Sequence, residues 1–124
     1  MRKVEAIIRP DRLQAVQDAL DSLGASGITI TEVLGCGHQR GYTESYRGTK
    51  ANISLQRKVK IEVVIPDRSA EGVVEAIAGA ARTGEVGDGK IFVLPVERVY
   101  RIRTGEADEA AVTPQPVELD DLLG

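Results

Sequence analysis

Arg82-Thr83-Gly84-Glu85-Val86-Gly87-Asp88-Gly89-Lys90 places three glycines within six residues and ends on a lysine. Closely spaced glycines let successive backbone N–H groups converge on one concavity, and the ammonium adds a full positive charge, so the stretch suits an anion such as a phosphate. It also reads Gly84-x-x-x-x-Gly89-Lys90, which matches all but the last position of a Walker A loop. Ile91 stands where that loop needs a Ser or Thr hydroxyl for Mg²⁺. The context is reversed as well. A P-loop leaves a strand and opens a helix, whereas this stretch follows a helical pattern and enters the β-rich run Ile91-Phe92-Val93. The reading that remains is α+β, with the segment either an anion cradle or a plain glycine turn between helix and strand.

Upstream, Val4, Ala6 and Ile8 alternate with Glu5, Ile7 and Arg9, which predicts a first strand closed by Pro10. Asp11-Arg12-Leu13-Gln14 fits a capping box, and Leu13, Val16, Leu20 and Leu23 fall on one helical face ahead of Gly24. Residues 28–34 alternate again and predict a second strand. About twenty residues without a clean period follow, from Gly35 to Ile53, and a loop of that length in a small domain is usually functional or disordered. Lys58 to Ile65 predicts strand three, with Val59, Ile61, Val63 and Ile65 on one side and Lys58, Lys60, Glu62 and Val64 on the other. Asp67 or Ser69 is the expected cap of a second helix carrying Val73, Val74, Ile77, Ala80 and Ala81. Ile91 to Val99 predicts strand four.

The order strand, helix, strand, strand, helix, strand is that of a ferredoxin-like βαββαβ sandwich. Two helices cover only one face of a four-stranded sheet. The other face, with Ile7 and Val64 among charged neighbours, is therefore expected to be buried in an oligomer.

Composition narrows the function. The chain has 124 residues, 42% apolar and 3% aromatic, which fits one domain with an aliphatic core. Six of the 19 acidic residues and none of the 16 basic ones lie after Gly105, so residues 1–105 hold 16 basic against 13 acidic. A folded part that is only mildly basic and poor in aromatics argues against general nucleic-acid binding and for a small anionic ligand. No secretory signal or membrane-length apolar run is visible, and the lone Cys36 fits a cytoplasmic protein. Nothing resembles a nucleophile–base pair, so no enzyme is expected. Alternation puts Arg101 and Arg103 on one side of an extended segment, about 6.5 to 7 Å apart, either gripping a polyphosphate or simply solvated. For the acidic, leucine-bearing stretch from Glu118 to Gly124 three readings stay open: mobile, a short helix, or docked on the core.

Taken together, Thr83-Gly84-x-x-Gly87-Asp88-Gly89-Lys90-Ile91-Phe92-Val93, Arg101-Ile102-Arg103-Thr104-Gly105-Glu106, Gly35-x-Gly37-x-Gln39-x-Gly41 and Tyr46-Arg47-Gly48 resemble the P-II nitrogen regulatory proteins. The resemblance covers residues 1–112 and leaves 113–124 as an acidic extension. It implies a homotrimer that binds ATP or ADP, with 2-oxoglutarate joining through the Mg²⁺–ATP complex. By position, it implies nucleotide contacts from Thr29, Gly35, Gly37, His38, Gln39, Glu62, Val63, Val64, Gly87, Asp88, Gly89, Lys90, Arg101 and Arg103. It further implies 2-oxoglutarate contacts from Gln39, Lys58 and Gly87, with Gln39 also helping to hold Mg²⁺. The phosphate loop would be 82–90 and the C-terminal loop 100–106.

The long segment, about 37–55, corresponds to the family's T-loop. There Tyr42, Tyr46, Arg47 and Lys50 would meet targets such as an ammonium transporter, through which alone the protein would touch a membrane, or a nitrogen-metabolism enzyme or regulator. Two departures stand out. Ala51 occupies the position of the tyrosine that the family uridylylates, and His38 replaces a usual arginine near the phosphates. Thr49 stands where some relatives carry a phosphorylated serine, which makes it the modification candidate. The alternative from a different class is a P-II-like, adenine-nucleotide-binding regulator of carbon or metal handling that does not sense 2-oxoglutarate.

Overall fold

Four antiparallel strands form one sheet, and two helices pack across one of its faces. The computed structural model describes residues 1–36, 45–46, 49–50 and 55–114, the two short pieces by backbone alone. The elements are β1 (Arg2–Ile8), α1 (Leu13–Ser22), β2 (Thr29–Cys36), β3 (Ser45–Tyr46), β4 (Thr49–Lys50), β5 (Leu55–Ile65), α2 (Ala70–Ala81), β6 (Lys90–Pro95) and α3 (Glu109–Val112). The main sheet runs β2-β5-β1-β6, and β3 pairs with β4 in a separate two-stranded ribbon. This is the ferredoxin-like α+β fold.

Period-two alternation decides which face is which. Val4, Ala6 and Ile8 on β1, with Val59, Ile61, Val63 and Ile65 on β5, are buried beneath Val16 and Leu20 of α1 and Val73, Ile77 and Ala81 of α2. The opposite face carries Lys3, Glu5, Lys60 and Glu62, linked by ion pairs from Lys3 to Glu5 and Glu62 and from Lys60 to Glu62. On the same face β6 presents Phe92 opposite Glu5 and Leu94 opposite Lys3. Phe92 and Leu94 stay 45% and 39% exposed, which is unusual for large apolar side chains on a paired strand.

Several sequence expectations are corrected. Helix α1 has no capping box: Pro10–Arg12 form a 3₁₀ turn, and no side chain caps the helix. Ser69 occupies the N-cap position of α2 but makes no side-chain cap bond, while Asp67 lies in the preceding 3₁₀ turn with its carboxylate paired to the Met1 amino group and Arg2. Leu23 follows the last helical residue of α1 and is half-exposed rather than buried. Strand four stops at Pro95, not Val99: the Val96 N–H still donates to the Met1 carbonyl at 3.0 Å, but Val99 bonds instead to Asp108, through both its N–H and its carbonyl. The ribbon β3–β4 and the four-residue α3 lie in segments with no readable period.

Candidate functional site

The glycine-rich loop leaves α2 and returns to the sheet as β6. Gly84, Gly87 and Gly89 have φ of 88°, 100° and 100°, in the left-handed region that other residues reach only at a cost. Asp88 holds this shape from inside. Its carboxylate accepts from the Thr83 hydroxyl, from the backbone N–H groups of Thr83 and Gly84 at 2.9 Å each, and from Arg9 Nε at 3.0 Å. The Thr83 hydroxyl bond, then the backbone donors and Arg9, hold the Asp88 carboxyl far below the usual carboxylate range. Asp88 therefore shapes the loop with its charge already engaged.

Two cations, Lys58 on β5 and Arg9 just past the end of β1, reach the same loop. Lys58 Nζ donates to the Gly87 carbonyl, and Arg9 Nη2 donates to the Val86 carbonyl at 2.7 Å. A Cβ added to Gly87 would lie 3.3 Å from Lys58 Nζ and 3.5 Å from Arg9 Nη2, so both cationic heads flank one glycine. Gly35 approaches the stem of the same lysine, since a Cβ there would sit 3.3 Å from Lys58 Cγ. Gly35, Lys58 and Gly87 thus lie together, and Arg9, which no sequence pattern singled out, joins them. Its contacts lie nearly eighty residues away in sequence, and no local pattern marks them. Lys90 opens β6 opposite Ile7 and lines a hollow of about 260 Å³ with Asp88, Gly89 and Arg82.

A second group forms at the other end of the sheet. Thr29 pairs with Glu62 in the β2–β5 ladder, and both line a cavity of about 600 Å³ with Lys3, Val63, Val64 and Arg101. The side-chain bond from Lys3 at 2.8 Å lowers the Glu62 pKa and raises that of Lys3. Arg101 and Arg103 do not lie on a strand. Residues 101–106 form a closed turn in which Arg101 N–H donates to the Glu106 carbonyl and Gly105 N–H to the Arg101 carbonyl, each at 2.8 Å. The period-two alternation that would set the two arginines side by side is therefore absent. Arg101 is half-buried at the cavity, and Arg103 stands exposed on the turn.

Glu106 closes this turn. Its carboxylate accepts from the Thr104 hydroxyl at 2.7 Å and from Arg101 Nη1 at 2.9 Å, and these two groups, the hydroxyl foremost, lower its pKa. Asp108 accepts from the Val99 N–H and from Arg98, which fixes the start of α3 beside the cavity.

Gly37, His38, Gln39, Tyr42, Arg47 and Ala51 lie outside the described residues, as do the side chains of Tyr46, Thr49 and Lys50. No helix among the described residues is long and apolar enough to cross a membrane.

Comparison with known proteins adds independent information. The family model described as nitrogen regulatory protein P-II matches residues 1–106. A nitrogen regulatory protein P-II of Rhizobium meliloti is 54% identical over 112 residues, which are 90% of this chain and 100% of that protein. The Escherichia coli K12 protein named nitrogen regulatory protein P-II 1 is 51% identical over the same shares. Among solved structures, Arabidopsis thaliana PII bound to citrate superposes with a TM-score of 0.74 at 44% identity, covering 89% of this chain and 90% of that one.

Proposed function

The chain belongs to the nitrogen regulatory P-II family, and on that premise we propose that it is a non-catalytic cytoplasmic signalling protein that reads adenine nucleotide and 2-oxoglutarate together. The observation that carries this reading is the meeting of Lys58 and Arg9 around Gly87. Two cations beside a loop of left-handed glycines offer backbone donors for phosphate and paired charges for a dicarboxylate. A relative in the same fold bound to citrate, itself a polycarboxylate, supports that chemistry.

The candidate residues fall at two ends of the sheet: Gly35, Lys58, Gly87, Gly89 and Lys90 at one, Thr29, Glu62, Val63, Val64 and Arg101 at the other. Lys58 and Glu62 are four residues apart on β5, about 13 Å along a strand. In our reading the first group takes the phosphates and 2-oxoglutarate and the second takes base and ribose, with Arg101 and Arg103 adding charge to the phosphates. The open face of Phe92, Leu94 and the Lys3–Glu62 network packs against its copies in a homotrimer, so that the two groups complete each other across subunit contacts. Gln39 and His38, at the root of the T-loop, would adjoin the phosphates. Gln39 would share Mg²⁺ with ATP, which neutralises phosphate charge and lets a dicarboxylate approach.

The T-loop residues Tyr42, Tyr46, Arg47 and Lys50, with Thr49 as modification candidate, would then meet a transporter or a nitrogen-assimilation enzyme. Residues 1–112 act as the signalling domain in this reading.

Titration calorimetry with 2-oxoglutarate, with and without Mg²⁺–ATP, tests the proposal. Heat that appears only with Mg²⁺–ATP is the expected result. Nucleotide binding without any response to 2-oxoglutarate would replace it with a P-II fold retained for another signal.

A further inference from the structure

Among the described residues, Asp108 is the one non-glycine residue with positive φ, at φ 55° and ψ −123°. Aspartate tolerates the left-handed helical region, where ψ is about +47°. The Asp108 ψ lies outside that region, in the mirror image of extended backbone that glycine alone enters at ease. Such a conformation persists only where its surroundings fix it. Every polar group of the residue is engaged. The Asp108 N–H donates to the Val99 carbonyl at 2.7 Å, and its carbonyl accepts from the Ala111 N–H at 2.9 Å. Its carboxylate accepts from the Val99 N–H at 3.2 Å and from Arg98 Nε at 3.1 and 3.2 Å. An aspartate at a helix N-cap ordinarily bonds its own helix. Asp108 is the N-cap of α3, yet its carboxylate caps nothing there and turns back to Val99.

Those bonds join two walls of one cavity. Val99 and Arg101 on one side, and Ala111 and Val112 of α3 on the other, line the 600 Å³ cavity with Thr29 and Glu62. Beyond Val99 the chain forms a short antiparallel arm, in which Tyr100 bridges Ala107 and the Arg101 N–H donates to the Glu106 carbonyl. The Arg101 guanidinium is engaged within the arm by Glu106 at 2.9 Å, and on α3 and the residue after it by the Ala111 and Thr113 carbonyls at 3.2 and 2.6 Å. Arg101 thus braces the arm against α3, while Arg103 is exposed on the turn that the arm carries. The Val99–Asp108 pair is the base of this arm, so the place of the turn relative to Thr29 and Glu62 depends on it. The ion pair with Arg98 joins two half-exposed side chains and contributes little by itself.

We propose that Asp108 is a positioning residue for the nucleotide: it fixes the arm 99–108 against α3, so that the turn bearing Arg103 faces the phosphates of a nucleotide whose base and ribose lie at Thr29 and Glu62. The inference rests on the nucleotide reading above. A side chain that holds a glycine-like backbone through its own bonds gives up stability for placement. Removing it should therefore lower ligand affinity without lowering the stability of the fold.

Asp108→Gly tests this, because glycine takes the same backbone angles without strain while the carboxylate is deleted. Asp108→Asn is the conservative control, since its amide oxygen can still accept from Val99. In Asp108→Gly the denaturation midpoint should not fall, and exchange of the Arg101 and Gly105 amides should rise about 10-fold. Calorimetry should show ATP binding about 10-fold more weakly, as the competent arm is then populated about a tenth of the time. Adenosine, which has no phosphate, should bind the variant and the unmodified protein alike. Asp108→Asn should restore both exchange protection and ATP affinity to within about 3-fold. Equal losses for ATP and adenosine would overturn the assignment to the phosphates. Unchanged exchange and ATP affinity in Asp108→Gly would overturn the positioning role, as would a midpoint that falls while exchange rises throughout the core. If exchange rises at Arg101 and Gly105 alone while neither protein takes up ATP, the clamp is supported and the nucleotide reading has failed by itself.

Discussion

The Ile7 carbonyl oxygen lies 1.7 Å from the point where a Cβ on Gly89 would stand. No rearrangement of a side chain relieves that overlap, since the atom belongs to the backbone of the central strand β1. Gly89→Ala is expected to destabilise the protein by about 3 kcal/mol or more, combining left-handed strain with displacement of a strand. Gly84→Ala is the control. Its φ is similarly positive but nothing lies within 4 Å of the added carbon, so about 1 to 2 kcal/mol of strain is expected. Chemical denaturation of both variants distinguishes the two costs.

Lys58→Gln keeps most of the stem against Gly35 but removes the charge that sits on Gly87. A charge-assisted bond contributes roughly 1.5 to 3 kcal/mol, so 2-oxoglutarate should bind about 10- to 100-fold more weakly in the presence of Mg²⁺–ATP. Binding of ATP alone should change far less. Calorimetry on the variant separates the effects, and equal losses for both ligands would assign Lys58 to the nucleotide alone.

Asp88 predicts an acid response of the loop. Its pKa is lowered on folding, so the stabilisation it provides is complete above the ordinary aspartate value near 4 and is lost as pH falls from there through the depressed folded value. The Thr83 and Gly84 amides, which donate to it, should lose exchange protection across that acid window. Asp88→Asn should lower their protection at neutral pH and flatten the pH dependence. Amide exchange followed by NMR reads both residues directly.

The open face makes a separate prediction about assembly. Replacing Phe92 and Leu94 with glutamate sets new charges beside the Lys3–Glu62 network while leaving the helix-covered core untouched. The variant should elute as a folded monomer with unchanged helical circular dichroism. A trimer that survives both substitutions would place the subunit contact elsewhere.

Much of this architecture was legible because burial is one-sided. The strict alternation of Val59, Ile61, Val63 and Ile65 can only mean a strand with one covered face, and all four are in the core. The glycine loop was legible for a similar reason, since three closely spaced glycines have few uses other than left-handed backbone. What failed was local chemistry overruled by distant partners. Asp11 in a fitting motif caps nothing, because the turn begun at Pro10 places it inside a 3₁₀ segment. Strand four ends before Val99 because Val99 is tied to Asp108 nine residues on, which its own sequence does not record. The Arg101–Arg103 pair reads as extended, yet Arg101 and Glu106 close a turn that removes the alternation. Arg9 carries no signal at all, since its partners are set by how the loop folds over the end of β1.

The ladder between β2 and β5 runs out to the pair Cys36 and Leu55. Those two residues stand one strand spacing apart, about 5 Å, so the chain leaves and re-enters the fold at a single point. The core therefore does not register how long the excursion is. Doubling the span between them would cost only about 0.6 kcal/mol of closure entropy. The region between Cys36 and Leu55 is in this sense a cassette, whose length can change without redesigning the sheet that carries it.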